Sequence, residues 1–342
     1  VPVQILASDL PRQLMNVFRS GHVPYVASSP GMGKSSIIKQ IAKENNLKLI
    51  DVRLAQADIT DLNGMPFMNM ETGKASFFPF DMWPTEDMEV PEEYSGWVIL
   101  LDELSSCSQS VQAAAYKVIL DRQVGMHNLH KNVLMVAAGN LTTDKAIVTR
   151  MSTALQSRMI HFEVGIDQKG WVDWANANGM DHRIISFINF KPDALHKFDP
   201  NHNDVTHANP RTWEFMSDII KPMEVLNMID MPTFAGTVSE GMAREFFGYT
   251  QIFETLPEIK DIIAHPDTAK MGDESSAHYA VTGLISYHMA ETNAKPLLQY
   301  LERMPIEFQV IALRGAVKKT PKITRTPDVM RWMQKVGKDY FS

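Results

Sequence analysis

Apolar positions come in short unbroken runs along the first half of the chain. Val23 to Ala27, Trp97 to Leu101 and Val133 to Ala138 are the clearest. Runs of five or six such residues suit strands buried on both faces of a parallel sheet. Lys48 to Leu54 and Ile160 to Val164 read as two further strands. Helical spacing fills the intervals, over Asp9 to Arg19, Ser36 to Lys43 and Ser108 to Asp121. Strands alternating with helices predict the α/β class, a parallel sheet with helices on both faces. Residues 64–90 break this rhythm. There GMPFMNMETGKASFFPF predicts two short strands around a turn at Glu71-Thr72-Gly73.

After Val164 the strand signal fades. Helical patterns cover Gln168 to Ala177, Arg183 to Ile188, Pro210 to Ile220 and Ser239 to Leu256, with a polar loop from Asp199 to Asn209. Further helices are predicted at His278 to Thr292, Ala294 to Arg303 and Pro327 to Lys338. The expected organisation is an α/β domain over 1–165, a helical domain over 166–256 and a helical C-terminal extension over 257–342.

Composition narrows the class. The 342 residues are 44% hydrophobic and 21% charged, ordinary for a soluble globular protein. A net charge of −7 argues against general nucleic-acid coating. No apolar run is long enough to span a bilayer, and VPVQILASDLPRQL lacks the basic and apolar regions of a signal peptide. Cys107 is the single cysteine, so no intrachain disulfide is possible. A cytoplasmic location is the expectation.

The strongest chemical signal is Ser28-Ser29-Pro30-Gly31-Met32-Gly33-Lys34-Ser35, set between a predicted strand and a predicted helix. That context is the one a phosphate-binding loop requires. Its glycines let backbone N–H groups curl around an anion, and the helix N-terminus adds partial positive charge. Ser29 to Ser36 would line the phosphates, Lys34 would reach the β- and γ-phosphates, and Ser35 would hold Mg²⁺. The usual pattern opens on glycine, and Ser28 stands there instead. An ordinary helix-capping loop with an incidental lysine is the competing reading.

Downstream, the apolar strand at 97–101 runs into Asp102-Glu103. A carboxylate pair at the C-terminal edge of a buried strand sits where open α/β sheets bind ligands. Asp102 would hold Mg²⁺ and Glu103 would activate water; an acid pair at a helix start is the plainer alternative. Asn140 ends the next apolar strand, where a neutral amide can orient water or merely serve a turn. Arg158 precedes the fifth strand and could reach a neighbouring subunit's nucleotide, with Arg150 a weaker second choice. Arg211 opens a helix after Pro210. Taken singly, each arginine is more simply a surface residue.

Taken in order, these segments resemble AAA+ ATPases, and more narrowly the MoxR group and its dynein-related relatives. LAQADITDLNGMP, VILLDELSSCSQSVQAAAYKVILDRQVG, NVLMVAAGNLTTDKAIVTRMSTALQSRMIHFEV and NPRTWEFMSDII carry the likeness, over about residues 5 to 256. The paired strands at 66–80 resemble the hairpin inserted in helix 2 of that clade. The resemblance implies a P-loop NTPase sheet followed by a helical lid. It implies Walker A roles for Lys34 and Ser35, and Walker B roles for Asp102 and Glu103. Asn140 matches sensor 1, Arg158 the arginine finger and Arg211 sensor 2. It further implies ATP with Mg²⁺, a homo-oligomeric ring, often a hexamer, and chaperone-like work on a protein client. A von Willebrand factor A-type protein is a common partner in the group.

Three functions stay open at this point: a remodeler of protein partners, a nucleic-acid motor, and a nucleotide-gated scaffold with little turnover. Glu103 and Arg158 speak against the scaffold, and the acidic charge speaks mildly against the motor. A basic stretch at 314–338 (Arg314, Lys318, Lys319, Lys322, Arg325, Arg331, Lys335, Lys338) could contact nucleic acid, though a solvated helical face is the favoured reading. Asp199, His202, Asp204 and His207 fit no familiar zinc spacing, and neither do His127 and His130. Cys107 reads as packing.

Overall fold

A computed structural model describes residues 3–141, 149–198 and 204–336. The chain divides into two compact units, 1–166 and 167–342.

The first unit runs β1 (Val3–Leu6), α1 (Leu10–Arg19), β2 (Val23–Ser28), α2 (Lys34–Glu44), β3 (Leu47–Arg53), α3 (Ile59–Asn63), β4 (Met65–Asn69) and β5 (Lys74–Phe78). It continues with β6 (Gly96–Asp102), α4 (Gln109–Asp121), β7 (Gln123–Val124), β8 (His127–Asn128), β9 (Val133–Asn140), α5 (Thr153–Gln156) and β10 (Met159–Gly165). Six strands form one sheet in the order β1-β10-β2-β9-β6-β3, parallel throughout. The five expected strands are all present. The sixth, β1, is only four residues long, and it pairs with β10 from the far end of the unit (Val3 with Phe162). A strand that short carries too little alternation to be read locally.

Alternate residues of the central strands feed two separate cores, because successive side chains of a strand point to opposite faces. Tyr25, Ile99, Leu101 and Ala137 pack on one face with Leu62 of α3 and Val111, Ala115 and Val118 of α4. Val26, Val98, Leu100 and Val136 pack on the other with Leu10 and Leu14 of α1 and Ile38 and Ile41 of α2. The predicted 66–80 hairpin is β4 with β5, paired antiparallel from Met65–Phe78 to Asn69–Lys74. The DRQVG turn is explained structurally. Arg122 caps α4 at φ 53° and its Nη2 donates to the Val133 carbonyl at 2.5 Å. Gly125 follows at φ 59°, where a Cβ would lie 2.3 Å from the Asn63 carbonyl oxygen.

The second unit is helical: α6 (Gln168–Ala177), α7 (His182–Phe190), α8 (Pro210–Ile220), α9 (Met231–Val238), α10 (Glu240–Thr250), α11 (Ile259–Ala264), α12 (Ser275–His288), α13 (Ala294–Leu301), α14 (Ile306–Lys319) and α15 (Pro327–Val336). One core gathers Phe187, Trp213, Phe234 and Phe246. A second gathers Ile285, Tyr300, Leu313 and Trp332. The single helix expected over 239–256 stops at Thr250 and continues as a 3₁₀ turn from Gln251 to Thr255. Helices α9, α11 and α14 are additions to the sequence expectation. Within α14, Gly315 makes room for a close approach: a Cβ there would stand 2.9 Å from Ser286 Oγ and 3.0 Å from Asn176 Oδ1.

The first part of the basic stretch is engaged inside the second unit, while Lys322, Arg325, Arg331 and Lys335 are exposed. Arg314 makes a two-pronged bond to Asp173 at 2.8 and 2.5 Å, with Lys318 Nζ 3.7 Å from the same carboxylate. Lys319 donates to the Tyr287 carbonyl and lies 3.5 Å from that ring's centroid. Asp199, His202 and Lys338 lie outside the described residues. No helix among the described residues is long and apolar enough to cross a membrane.

Candidate functional site

The loop after β2 supplies the site's floor. Gly31 and Gly33 take φ of 79° and 82°, left-handed values that glycine adopts without steric cost. Gly33 caps α2, so the helix begins at Lys34 with its free N–H groups facing the loop. Ser29 and Pro30 are half-buried, Gly31 and Met32 are buried, and Ser36 is exposed in the first turn. Ser28, standing where the usual motif has glycine, needs no left-handed angle, because it is the last residue of β2. Its hydroxyl does what glycine could not: Lys34 Nζ donates to Ser28 Oγ at 2.9 Å and to the Ser28 carbonyl at 3.1 Å.

Strand register brings the remaining groups to this floor. Ser28 lies directly beside Asn140 on β9, and Lys34 Nζ reaches Asn140 Oδ1 at 3.4 Å. One strand further on, β6 ends at Asp102, whose Oδ2 accepts from Ser35 Oγ at 2.8 Å. Asp102 Oδ1 accepts from the Glu103 backbone N–H at 2.8 Å. Glu103 sits at φ 59°, an uncommon angle for a residue with a side chain. Residues far apart in the chain (Lys34, Ser35, Asp102, Glu103, Asn140) therefore meet at the C-terminal edge of the sheet, where open parallel sheets bind ligands.

Arg150 and Arg158 come from the segment between β9 and β10. Arg158 is exposed after α5, its Nη1 donates to the Ala154 carbonyl at 2.7 Å, and its guanidinium rests 5.1 Å from the Tyr116 ring centre. Arg150 is exposed and lines a groove of about 660 Å³ with Gln112, Tyr116 and Met151. Arg211 is exposed in the first turn of α8, in the second unit. Cys107 is buried with its thiol donating to the Leu104 carbonyl at 3.3 Å, and burial pushes the thiol up to about 11, so it stays protonated at neutral pH.

Ser105 is a site residue that the sequence pattern hid. It is 2% exposed. Its Oγ accepts from the Asn140 N–H at 2.9 Å, and its carbonyl accepts from the Thr149 N–H at 2.7 Å. The Tyr25 phenol, raised by burial, is hydrogen-bonded to the same hydroxyl. Gly139 leaves the room: a Cβ there would lie 2.2 Å from Tyr25 Oη and 2.7 Å from Ser105 Oγ. This clamp ties the segment after Glu103 to the strand end that presents Asn140. On the ATPase reading, Ser105→Ala should lower kcat about tenfold with KM for ATP little changed, since a misplaced amide affects the reacting water more than nucleotide binding. Steady-state kinetics on the purified variant measure the split; an equal loss in both parameters would mean general damage.

The donor set fits a nucleotide with magnesium. A serine hydroxyl and one carboxylate are hard oxygen ligands, and Mg²⁺ typically keeps waters and phosphates for its other positions. No cluster of three or more metal-ligating His, Cys, Asp or Glu side chains occurs among the described residues; a magnesium held with a triphosphate needs none.

Comparison with known proteins adds the following. No family model matches the chain, and no curated protein matches it. Among solved structures, a variant of RuvB from Thermotoga maritima is 14% identical, with 86% of this chain and 86% of that one covered, at a TM-score of 0.40. A second RuvB variant is 15% identical, covering 87% and 86%, at 0.39. A provisionally assigned ATPase from Cytophaga hutchinsonii is 12% identical, covering 96% and 87%, at 0.35. With identities and scores this low, the residues of the site carry the function.

Proposed function

We propose that the chain is an ATP hydrolase of the AAA+ type, close to the MoxR group, acting in a homo-oligomeric ring to remodel a protein partner. The observation that carries this is the convergence of Lys34, Ser35, Asp102 and Asn140 on one loop, through the 2.8 Å Ser35–Asp102 bond and the 3.4 Å Lys34–Asn140 contact. A helix-capping loop with an incidental lysine would not gather these three chain segments.

Each residue then has a chemical task. The Lys34 ammonium and the loop N–H groups bind and neutralise phosphate oxygens. Ser35 and Asp102 would hold Mg²⁺, which when bound offsets charge on the β- and γ-phosphates. The Glu103 carboxylate accepts a proton from attacking water, and the Asn140 amide orients that water. Arg158 serves a neighbouring subunit, in keeping with its exposure. Arg211 reports nucleotide state to residues 166–256, acting as a lid, with 257–342 as an extension. Loss of the γ-phosphate relaxes these contacts, and the motion is passed to a client. A hexameric ring, a cytoplasmic location and a von Willebrand factor A-type partner belong to the same reading by resemblance.

Calorimetry tests it. Wild-type protein should bind ATP with Mg²⁺, and Lys34→Ala should weaken binding by at least about tenfold, because a charge-assisted bond to phosphate is lost. Absence of any heat with millimolar ATP would end the proposal.

A further inference from the structure

The β4–β5 hairpin is a two-stranded sheet with apolar side chains and no cover. Phe67 is 66% exposed and Met70 87%, and Met65, Met68, Phe77 and Phe78 are exposed too. No third strand joins either edge among the described residues. A two-stranded hairpin is marginal by itself, and this one is braced from one side. His127 Nε2 lies 3.2 Å from the Phe77 carbonyl, and its ring packs on Phe78. The β7–β8 turn adds Met126, 74% exposed. The patch is thus continuous across two hairpins, and it is rich in methionine, whose flexible thioether adapts to varied partners.

Its surroundings are acidic. Residues 64–93 carry seven carboxylates against one lysine, Lys74, in a chain whose total net charge is −7. Glu71 stands in the β4–β5 turn, and two more carboxylates reach the β7–β8 hairpin, where Lys117 is engaged with the Gly125 carbonyl. Glu86 accepts from Asn128 on β8 at 3.0 Å, and Asp87 is held below the usual carboxylate range by a hydrogen bond from Thr85, with His127 close enough to add to the effect. An apolar floor with an anionic rim is complementary to a segment that is apolar on one side and cationic on the other.

We propose that this patch is a docking surface for a cationic amphipathic helix of a partner polypeptide. The occupant is not a second copy of this chain. Among the described residues, α15 keeps its cations exposed but turns its apolar side, Val329 and Trp332, into the core of the second unit, and Arg314 and Lys319 of α14 are bonded inside that unit. Apolar contact supplies the affinity and the carboxylates supply selectivity for positive charge. Neither requires nucleotide, so the test below bears on this surface and leaves the ATPase reading untouched.

The experiment uses the full chain without ATP and a fluorescent, designed helical peptide of leucine and lysine. A second peptide keeps every lysine and replaces leucine with glutamine. Anisotropy should show saturable one-to-one binding of the first peptide and about tenfold or more weaker binding of the second. The combined variant Phe67→Ser, Met68→Ser, Met70→Ser should lose about tenfold in affinity for the leucine peptide. A second variant, Glu71→Lys with Glu89→Lys, should also weaken binding and reduce its salt dependence, and it leaves the apolar core of the hairpin intact. Reversing Glu291 and Glu302, on the second unit, should change nothing. Equal binding of both peptides, or indifference to both patch variants, overturns the proposal. So does co-sedimentation with phosphatidylglycerol vesicles that the serine variant abolishes while peptide binding persists. Self-association of the wild type that the same variant dissolves would assign the patch to a second copy instead.

Discussion

Glu103→Gln should bind ATP as the wild type does and hydrolyse it about 10²–10⁴ times more slowly, the usual contribution of a positioned general base. The amide is isosteric with the carboxylate, so the loop geometry survives while proton acceptance is lost. That geometry is specified. The Glu103 N–H is held by Asp102 Oδ1, its carbonyl accepts from the Ser106 N–H at 2.8 Å, and the Leu104 N–H is tied to the Ala138 carbonyl at 2.9 Å. These bonds hold a non-glycine residue at φ 59°, a conformation that costs on the order of 1–3 kcal/mol and persists only when the surroundings enforce it. Relief of that strain gives a second readout. Glu103→Gly should be inactive yet raise stability by about 1 kcal/mol. Phosphate release under single-turnover conditions, calorimetry with ATP and thermal melting measure the three quantities. Hydrolysis by Glu103→Gln at the wild-type rate would remove the water-activating role.

The largest stability loss is expected at Arg183→Ala, about 3–5 kcal/mol, the range found when one member of a buried ion pair is deleted. Arg183 is 7% exposed and Asp181 4%. The guanidinium donates to both Asp181 oxygens at 2.9 and 2.7 Å, to the Ile220 carbonyl at 2.8 Å and to the Met223 carbonyl at 2.9 Å. It thereby fastens the start of α7 to the end of α8. Truncation removes the cation from a buried carboxylate, which keeps the Arg183 backbone N–H, and takes a donor from the Ile220 and Met223 carbonyls. Replacing both partners with apolar residues of similar size, as in Asp181→Leu with Arg183→Met, should cost much less. Chemical denaturation followed by tryptophan fluorescence measures both, and a loss below about 1 kcal/mol for the single variant would refute the argument.

The same corner sets a pH dependence. Burial pushes the His182 ring, 18% exposed and packed against Tyr287 and Phe253, down from 6.5 to about 4. The unfolded chain therefore binds more protons between those values. Stability is full above pH 6.5 and falls as pH drops to about 4. Burial works against the Asp181 carboxylate, but the Arg183 guanidinium outweighs it and holds the group below its ordinary 3.8. That second contribution is present above pH 3.8 and is lost only below it. Arg183→Ala should remove the second phase and keep the first.

What the amino-acid order determines locally was readable from it. The candidate phosphate loop is eight consecutive residues, with its glycines, lysine and serine close together in the chain. The strands at 97–101 and 133–138 announce themselves because both faces are buried, which requires an unbroken apolar run. The hairpin at 66–80, exposed rather than buried, was legible because its turn signal is contiguous. Tertiary structure alone decided the rest. The strand order places β9 between β2 and β6, and so sets Asn140 beside Ser28; no local pattern encodes that register. Ser105 sits in an unremarkable SSCS stretch and becomes a clamp only because Tyr25, Gly139 and Asn140 arrive from other strands. Gly315 stands inside α14 where Ser286 and Asn176 occupy the space a Cβ would take. Periodicity and turn chemistry act between neighbours in the chain, whereas register, close approach and burial of charge are settled between segments that meet only once the chain has folded.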